Sequence, residues 1–229
     1  GNLLYMEIAL KTEDKSEILR FLEYRGQDMD ENLSRQIDFC MEMINSAARP
    51  AYISREFNMK NDGSYPDECS FFSGNDIKKH LSGCKKIILM AATLGAGVEN
   101  IIRRTQVRNV SDAVIMDSCA SVLIEVLCDT IDAQFREEYK KQGFFLTTRY
   151  SPGYGDLPIG IQRDFIRLLD TVRRIGLNVS DSGIMIPRKS VTAIIGISEA
   201  EKKQEKLGCK GCNLVKTCRF LRRGVTCGR

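Results

Sequence analysis

The chain has 229 residues, of which 43% are hydrophobic and 28% are charged. This length is enough for one large or two small domains with a sizeable core. The composition is that of a soluble globular protein and not of a disordered, collagen-like or membrane protein. The longest apolar runs, such as Ile87 to Ala92, fall far short of the roughly 20 residues that a membrane span requires. The sequence also shows no secretory signal pattern.

The histidine and cysteine counts narrow the possible chemistry. A single histidine, His80, leaves little room for imidazole metal sites or catalytic triads. We expect it to be structural or exposed, at the end of a short helix that begins near Gly74. Nine cysteines are an odd number, and without a secretory signal they indicate a reduced cytoplasmic chain with free or metal-bound thiols.

The net charge of +4 is unevenly distributed along the chain. Residues 201–229 hold nine Lys or Arg against two Glu, whereas residues 1–200 hold 28 acidic against 25 basic residues. We therefore expect a folded domain over 1–198 and a basic tail over 199–229. Nucleic-acid binding by the tail is disfavoured because Phe220 is its one aromatic residue. Docking of an acidic protein, or charge compensation around a thiolate cluster, explains the basic residues equally well.

The first third of the chain predicts two helices and a strand. Asp14 and Glu17 have the spacing of a capping box for a short helix that Gly26 would end. A second helix should follow Asp28 to Asp30 and stop before Arg49-Pro50. Its apolar residues recur at helical spacing: Leu33, Ile37, Cys40, Ile44 and Ala47. Residues 51–57 then have the pattern of a strand.

A second strand is expected at 85–92, followed by the turn Gly95-Ala96-Gly97 and a helix to about Arg104. Glycines in this place are compatible with a nucleotide-binding loop, because they allow backbone amides to approach a phosphate. Asn100, however, occupies the position of the third glycine, and regular βα repeats are absent. A tight strand-to-helix turn is the simpler interpretation.

The longest predicted helix runs from a cap at Ser111 or Asp112 to about Tyr139. Its apolar stripe consists of Met116, Ala120, Leu123, Leu127, Ile131 and Phe135. Residues 144–149 should be extended, and a further amphipathic helix should run from Ile161 to Ile175 before Gly176. Residues 183–186 and 190–197 should form paired strands. Strands in clusters, without regular βα alternation, predict an α+β fold.

Three carboxylates lie on one side of the long predicted helix. Glu125, Asp129 and Asp132 are spaced at i, i+4 and i+7, and Ser118 and Ser121 flank them. The pattern fits a solvated helix face. The alternative is a carboxylate patch whose small neighbours leave space for a cationic ligand, but the spacing alone favours the solvated face.

The segment Arg149-Tyr150-Ser151-Pro152-Gly153-Tyr154 has the composition of a binding turn. Pro152-Gly153 suits the central positions of a type II turn, which leaves backbone groups available to a ligand. Arg149 can bind a carboxylate in a bidentate manner, and Tyr154 offers a ring face or a hydroxyl. An ordinary surface turn beside a structural ion pair is the alternative.

Four cysteines near the end of the chain have the spacing C-x2-C-x5-C-x8-C. Cys209, Cys212, Cys218 and Cys227 can form a tetrahedral zinc site or hold an iron–sulfur cluster, and their spacing does not distinguish the two. A redox-labile or disulfide-paired tail is the third possibility. The remaining cysteines are scattered, and those on helix faces are expected to be small core residues: Cys40, Cys69, Cys84, Cys119 and Cys128.

Three features together, the segment 149–154, Glu125 and the segment 184–191, give the chain a resemblance to a known family. The chain resembles the activation (reactivation) domain of cobalamin-dependent methionine synthase, and it is more similar still to the stand-alone bacterial form of that domain. The resemblance covers roughly residues 10–198, and the R-x-[SA]-P-G-Y element is its most specific part. The cysteine tail lies outside it.

The resemblance implies a twisted antiparallel sheet packed with long helices and a shallow groove that binds S-adenosylmethionine. By the match to the family's motif, Arg149 would hold the methionyl carboxylate of the ligand. The backbone of Ser151 and Gly153 and the side chain of Tyr154 would line the groove. Glu125 matches a ligand-binding glutamate whose charge would complement the ligand's ammonium or sulfonium.

Two positions depart from the family's pattern. The N-terminal ligand-binding aspartate of the family has no counterpart in this sequence. A tyrosine late in the family's sheet falls near Ile194-Ile195, which are apolar here.

In that family, S-adenosylmethionine methylates the corrinoid of methionine synthase after an electron donor has reduced the inactive cob(II)alamin form. The resemblance therefore implies an accessory protein for this reductive methylation. The cobalamin would be carried by the partner, a corrinoid-binding methionine synthase or a related corrinoid protein. A flavodoxin- or ferredoxin-type donor would supply the electron, and an iron–sulfur cluster in the tail could relay it. The alternative is a non-catalytic docking module for a corrinoid protein.

Overall fold

A computed structural model of the chain describes residues 2–24 and 30–201, in which helices cover both faces of an antiparallel sheet. The helices are α1 (Lys15–Phe21), α2 (Glu31–Ala47), α3 (Asn75–Leu81), α4 (Ala96–Arg108), α5 (Val110–Lys141), α6 (Gln162–Leu169) and α7 (Thr171–Ile175). The strands are β1 (Asn2–Tyr5), β2 (Ala51–Asn58), β3 (Lys86–Thr93), β4 (Phe145–Leu146), β5 (Asn178–Val179), β6 (Met185–Ile186) and β7 (Ser190–Ser198). The main sheet has the order β1-β2-β3-β7-β4 with antiparallel neighbours. The predicted α+β fold, an antiparallel sheet packed with long helices, is confirmed.

The central strand β3 is buried on both faces of the sheet. Ile88 and Met90 point to a core formed with α1, α2 and α5. Ile87 and Leu89 point to a second core, formed with α3, α6 and the segment that follows β4. Because both faces are covered, the strand is apolar at nearly every position and does not alternate polar with apolar residues.

The longest helix, α5, has 32 residues and is therefore roughly 48 Å long. All six residues of its predicted apolar stripe are buried. The predicted cap at Ser111 or Asp112 is wrong, because the side chain of Asn109 accepts a hydrogen bond from the Asp112 N–H at 3.1 Å. The side chains of Ser111 and Asp112 instead bind the amide of Gln36 on α2, at 3.2 and 2.6 Å.

The start of α1 also differs from the prediction, whereas α2 is capped by Asp30 and ends at Ala47 as expected. A short 3-10 turn precedes α1, and the carboxylate of Asp14 accepts a hydrogen bond from the Lys11 N–H at 2.8 Å. Asp14 makes no side-chain cap to α1. The predicted end of this helix at Gly26 lies outside the described residues.

The segment that follows β4 is more interrupted than predicted. The single helix expected from Ile161 to Ile175 is broken between α6 and α7, because Asp170 adopts a left-handed conformation with φ of 54°. The buried hydroxyl of Thr171 then donates to the Leu177 carbonyl at 2.7 Å. The predicted pairing of 183–186 with 190–197 is also wrong, since β6 pairs with β5 and not with β7. Only Phe145–Leu146 of the extended segment 144–149 forms a strand.

The glycines between β3 and α4 are explained by close packing. Gly95 precedes α4 with φ of 80°, which favours glycine. A Cβ on Gly97 would collide with the backbone carbonyl oxygen of Ala47 at the end of α2. The interpretation of this segment as a tight strand-to-helix turn accounts for both glycines.

Replacing Gly97 by alanine should destabilise the fold by about 1–3 kcal/mol, because the added methyl group has a backbone atom in its way. This cost should exceed the roughly 1 kcal/mol that alanine gains over glycine in a helix. Urea unfolding of the Gly97→Ala variant measures the change. Gly160→Ala is the control, since an added Cβ there has nothing within 4 Å. Equal stabilities of the two variants would contradict the packing argument.

Candidate functional site

One side of α5 remains outside both cores and carries a stripe of polar residues. Asp117, Ser121, Glu125 and Asp129 follow one another at four-residue steps, so they lie on one helix face. The three acidic residues are exposed and Ser121 is half-buried. Because the opposite side of α5 is locked into the core, this stripe has a fixed direction. We call it the α5 stripe.

Two residues of the expected carboxylate patch are used elsewhere. Asp132 pairs with Arg136 one turn further along α5, with Nε to Oδ2 at 2.6 Å. Ser118 is buried, and its hydroxyl donates to the Val114 carbonyl at 3.2 Å. Ser118 is therefore not an exposed neighbour of the carboxylates.

Arg149 joins the segment after β4 to the α5 stripe. Its Nη2 lies 2.9 Å from Oδ1 of Asp129 and 3.7 Å from Oε2 of Glu125. The Arg149 side chain is 22% exposed, and its Nη1 is buried without a hydrogen-bond partner among the described residues. A guanidinium has five N–H donors, so Arg149 retains the capacity to bind a further anionic group.

The sulfur of Cys128 lies beneath this ion pair and stays uncharged. Burial, which is the main effect, raises the pKa of Cys128 to about 12, and the nearby carboxylates act in the same direction while Arg149 opposes them. The thiol is therefore protonated at neutral pH. Among the described residues, the charged groups in contact here are Arg149, Glu125 and Asp129.

Lys189 closes the other end of the α5 stripe. Its Nζ lies 2.9 Å from the Asp117 carboxylate, and it donates to the Ser121 hydroxyl at 2.8 Å. The Lys189 side chain is 17% exposed. This contact fixes the segment just before β7 against α5, as Arg149 fixes the segment after β4.

The turn Ser151–Tyr154 has the predicted geometry. The Tyr154 N–H donates to the Ser151 carbonyl at 3.1 Å, and Gly153 has φ of 88°, as a type II turn requires. The Gly153 N–H donates to the Leu157 carbonyl at 2.9 Å. Two of the backbone groups expected to face a ligand are thus used within the turn, although a carbonyl oxygen can accept a second hydrogen bond.

The turn is anchored by residues that the sequence patterns did not indicate. Tyr150 is buried, and its ring centroid lies 5.0 Å from that of His80 and 5.4 Å from that of Tyr154. The Asp156 carboxylate accepts hydrogen bonds from the Asn75 and Asp76 N–H groups at 2.6 and 3.0 Å. Asp156 therefore caps α3 from a distant part of the chain. His80 is structural, since its Nε2 contacts the Thr148 carbonyl at 2.9 Å.

A groove of about 320 Å³ borders the turn. Ser151 and Pro152 form one wall, and Ile184, Met185 and Arg188 lie in the segment that forms the other. This volume is at the lower end of the range of small-molecule sites. Of the residues expected at the site, Ser151 lines this groove, while Arg149 and Glu125 contact each other on the α5 side of the turn.

The two apolar residues at the position of the family's late tyrosine are core residues. Ile194 and Ile195 are both fully buried, and they belong to the cores on opposite faces of the sheet. Neither reaches the groove. Any contact that the tyrosine would make must therefore come from another residue or be missing.

The part of the chain that the structure describes contains no group of three or more His, Cys, Asp or Glu residues arranged to hold a metal ion. Cys209, Cys212, Cys218 and Cys227 lie outside the described residues. No helix within 2–24 or 30–201 has the length and apolar character to cross a membrane.

The architecture is an α+β fold in which a central antiparallel sheet carries the turn Ser151–Tyr154 at its edge. Among solved structures, the fold is that of the crystal structure of the MetH reactivation domain bound to AdoHcy. The TM-score is 0.59 at 14% sequence identity, over 98% of this chain and 86% of that chain. The resemblance found in the sequence is thereby confirmed for the fold. The sequence matches no protein-family model and no curated protein.

Replacing Asp156 by alanine should destabilise the protein by about 1–2 kcal/mol, because two N–H groups at the start of α3 lose their acceptor. Chemical unfolding provides the measurement. Asp181→Ala is the matched control, since Asp181 is fully exposed and pairs at the surface with Arg163. Its effect should stay within about 0.5 kcal/mol. Similar losses in both variants would refute the anchoring role of Asp156.

Proposed function

We propose that this chain binds S-adenosylmethionine and presents its methyl group to the corrinoid of a methionine synthase or a related methyltransferase. The protein would act when the partner's cobalamin has reached the inactive cob(II)alamin form. The observation that carries this proposal is the R-Y-S-P-G-Y turn, held against Glu125 within the fold of the MetH reactivation domain.

Arg149 is the proposed partner of the methionyl carboxylate. Its buried Nη1 has no protein acceptor among the described residues, which is costly for a charged group unless a ligand supplies one. A carboxylate bound there would form charge-assisted hydrogen bonds with fixed geometry. The unpaired nitrogen therefore supports a ligand with a carboxylate.

Glu125 is the proposed partner of the ligand's positive charge. Its carboxylate is about half exposed and lies between Ser121 and Asp129 on the α5 stripe, so a cationic group can approach it. Ser151, Gly153 and Tyr154 would line the adjoining side. These residues bind and orient the methyl donor, and none of them needs to transfer a proton.

The partner's reduced corrinoid would supply the electron pair for the new bond to the methyl group, and the ligand's sulfur would keep the pair of the bond that breaks. The contribution of this chain is positioning. The turn and α5 hold the donor so that its methyl group faces the partner.

A non-catalytic docking module is the second candidate, and two observations favour it. Arg149 already has two carboxylates within 3.7 Å, and Ile194 and Ile195 replace the family's tyrosine with core residues. Such a protein would bind the corrinoid partner without binding S-adenosylmethionine.

Titration calorimetry with S-adenosylmethionine distinguishes the two functions. We expect wild type to bind and Arg149→Ala to lose at least about tenfold in affinity, because a buried charge-assisted contact is removed. Arg167→Ala is the control, since Arg167 is 79% exposed on α6 and should leave the affinity unchanged. Absence of binding by wild type would favour the docking module.

The same variants test the activity. A cob(II)alamin-loaded methionine synthase without its own activation domain should regain activity with wild type, S-adenosylmethionine and a reducing flavodoxin or ferredoxin. Arg149→Ala should fail and Arg167→Ala should succeed. Equal recovery with all three proteins would refute a role for the Arg149 site.

We further propose a metal site in the tail, formed by Cys209, Cys212, Cys218 and Cys227. It would hold either an iron–sulfur cluster that relays the electron or a structural zinc ion. Metal binding requires thiolates. Burial is the main cause that raises the pKa of four other cysteines to about 12: Cys40, Cys69, Cys119 and Cys128. Residues 2–24 and 30–201 also contain no group of three or more His, Cys, Asp or Glu residues that could hold a metal ion, so metal found in the protein would be assigned to the tail.

Anaerobic purification, metal analysis and a visible spectrum test the tail. Stoichiometric iron with a charge-transfer band supports the electron relay, whereas stoichiometric zinc without iron supports the structural site. Either metal should be lost in a Cys209→Ser, Cys212→Ser double variant and retained in Cys128→Ser. A metal-free wild type would refute both.

A further inference from the structure

Gln162 is a polar residue that lies buried in the wall of the groove beside the turn Ser151–Tyr154. It is the first residue of α6, and only 2% of its surface is exposed. Its side chain lines the groove together with Ser151, Ile159 and Met185. Burying an amide costs free energy unless its oxygen and its N–H groups have hydrogen-bond partners. The partners of Gln162 therefore indicate what this wall of the groove can bind.

Thr192 on β7 holds the oxygen of this amide. Its hydroxyl donates to Oε1 of Gln162 at 2.8 Å, and both residues are buried. Within residues 2–24 and 30–201 the Thr192 hydroxyl has no second hydrogen-bond partner. Turning the amide around would therefore leave the hydroxyl proton buried and unpaired, which is unfavourable. The contact fixes the orientation of the amide, with Nε2 pointing away from Thr192.

The nitrogen of the amide opens onto the groove. In the described part of the chain, Nε2 of Gln162 has no acceptor. The enclosed side-chain atoms without a partner there are the Tyr65 hydroxyl and Nη1 of Arg149, so Nε2 of Gln162 is in contact with solvent. Because the rest of Gln162 is covered, this solvent is the water of the groove. A ligand in the groove would meet N–H donors of fixed direction.

The remaining walls of the groove are mainly apolar. They are formed by Pro152, Ile159, Ile184, Met185 and Val191. Apolar walls with a few fixed polar groups suit a flat ring that has acceptor atoms at its edge. Adenine is such a ring, since its faces are apolar and its nitrogens N1, N3 and N7 accept hydrogen bonds. A glutamine amide is complementary to the edge of adenine.

A ligand held by Arg149 is long enough to reach the groove. Nine bonds of about 1.5 Å join the carboxyl carbon of S-adenosylmethionine to N9 of its adenine, so the extended ligand spans about 11 Å. Arg149 and Ser151 are two residues apart, so their Cα atoms are separated by at most about 7 Å. The carboxylate can therefore lie at Arg149 while the adenine enters the groove that Ser151 borders.

We propose that Gln162 is a specificity-determining residue that recognises the adenine of the ligand, with Nε2 donating to one of the ring nitrogens. Thr192 is the positioning residue that holds the amide in the orientation this contact needs. The proposal rests on the proposed function, because it requires S-adenosylmethionine to bind at Arg149. It adds a contact on the α6 side of the turn to those on the α5 side.

Titration calorimetry with S-adenosylmethionine and its 1-deaza, 3-deaza and 7-deaza analogues tests the proposal. Each analogue has C–H in place of one ring nitrogen and so lacks one acceptor. One of the three should bind wild type about two- to tenfold more weakly than S-adenosylmethionine, because one neutral hydrogen bond is lost. This difference should disappear in Gln162→Met, which has a side chain of similar length without an N–H group.

Two further proteins make the comparison specific. Gln162→Met leaves the Thr192 hydroxyl without its acceptor, whereas the double variant Gln162→Met, Thr192→Val replaces both partners by apolar groups and should restore stability. The difference between the ligands should be absent from the double variant too. Gln142→Met is the matched control, since Gln142 is exposed at the end of α5 and should keep the wild-type difference.

The outcomes separate this proposal from the proposed function. If wild type does not bind S-adenosylmethionine, both are wrong. If wild type binds all four ligands equally and Arg149→Ala weakens binding, the proposed function stands and the role of Gln162 is refuted. The role is refuted as well if the difference persists in Gln162→Met, because another group then donates to that nitrogen. Each comparison is a ratio of two ligands on one protein, so a general loss of affinity cancels.

Discussion

The burial of β3 on both faces determines the arrangement of the rest of the molecule. A strand without a solvent side requires a helical layer on each side of the sheet, and α5 is the main element of one layer while α3 and α6 belong to the other. The binding turn follows β4 at the sheet edge, where the bridge between Tyr150 and Ile194 ties it to β7. The site therefore lies where the two helical layers meet the same end of the sheet.

Burial of the apolar side of α5 also fixes the direction in which the side chains of the α5 stripe point. Leu123 and Leu127 are fully buried, so α5 cannot rotate about its axis without exposing them. Each residue turns the helix by about 100°, and a rotation by one position would carry Glu125 and Asp129 away from Arg149. The core residues thereby hold the two carboxylates at their distances from the guanidinium, and no hydrogen bond to either carboxylate is needed to aim the helix.

The sequence allowed the prediction of those parts of the fold that depend on local periodicity. The stripes of α2 and α5 and the strands β2 and β3 could be found because burial leaves a regular apolar pattern. The break at Asp170 and the cap at Asn109 could not, because a left-handed residue and a helix–helix contact through Gln36 leave no periodic signal. The pairing of β6 was mispredicted because a two-residue strand carries too little pattern to choose its partner.

The candidate site, too, could be predicted only where its residues are contiguous in the sequence. The turn Arg149 to Tyr154 was visible because its residues are contiguous, but the partner of Arg149 lies 20 residues away and the carboxylate of Asp156 caps a helix 81 residues away. Long-range contacts of this kind have no signature in a single sequence. Asp129 illustrates the difference, because its spacing indicated a solvated helix face or a carboxylate patch but not its contact with Arg149.

The proposed function is compatible with a chain that has one histidine. His80 contacts a backbone carbonyl and Tyr150. The thiols of Cys40, Cys69, Cys119 and Cys128 are protonated because burial raises their pKa. What remains at the site is a set of fixed charges on α5 and on the turn. Transfer of a methyl group from a sulfonium moves positive charge off the ligand without moving a proton. The proposed function therefore requires orientation of the donor and fixed charges, and it requires no titrating base.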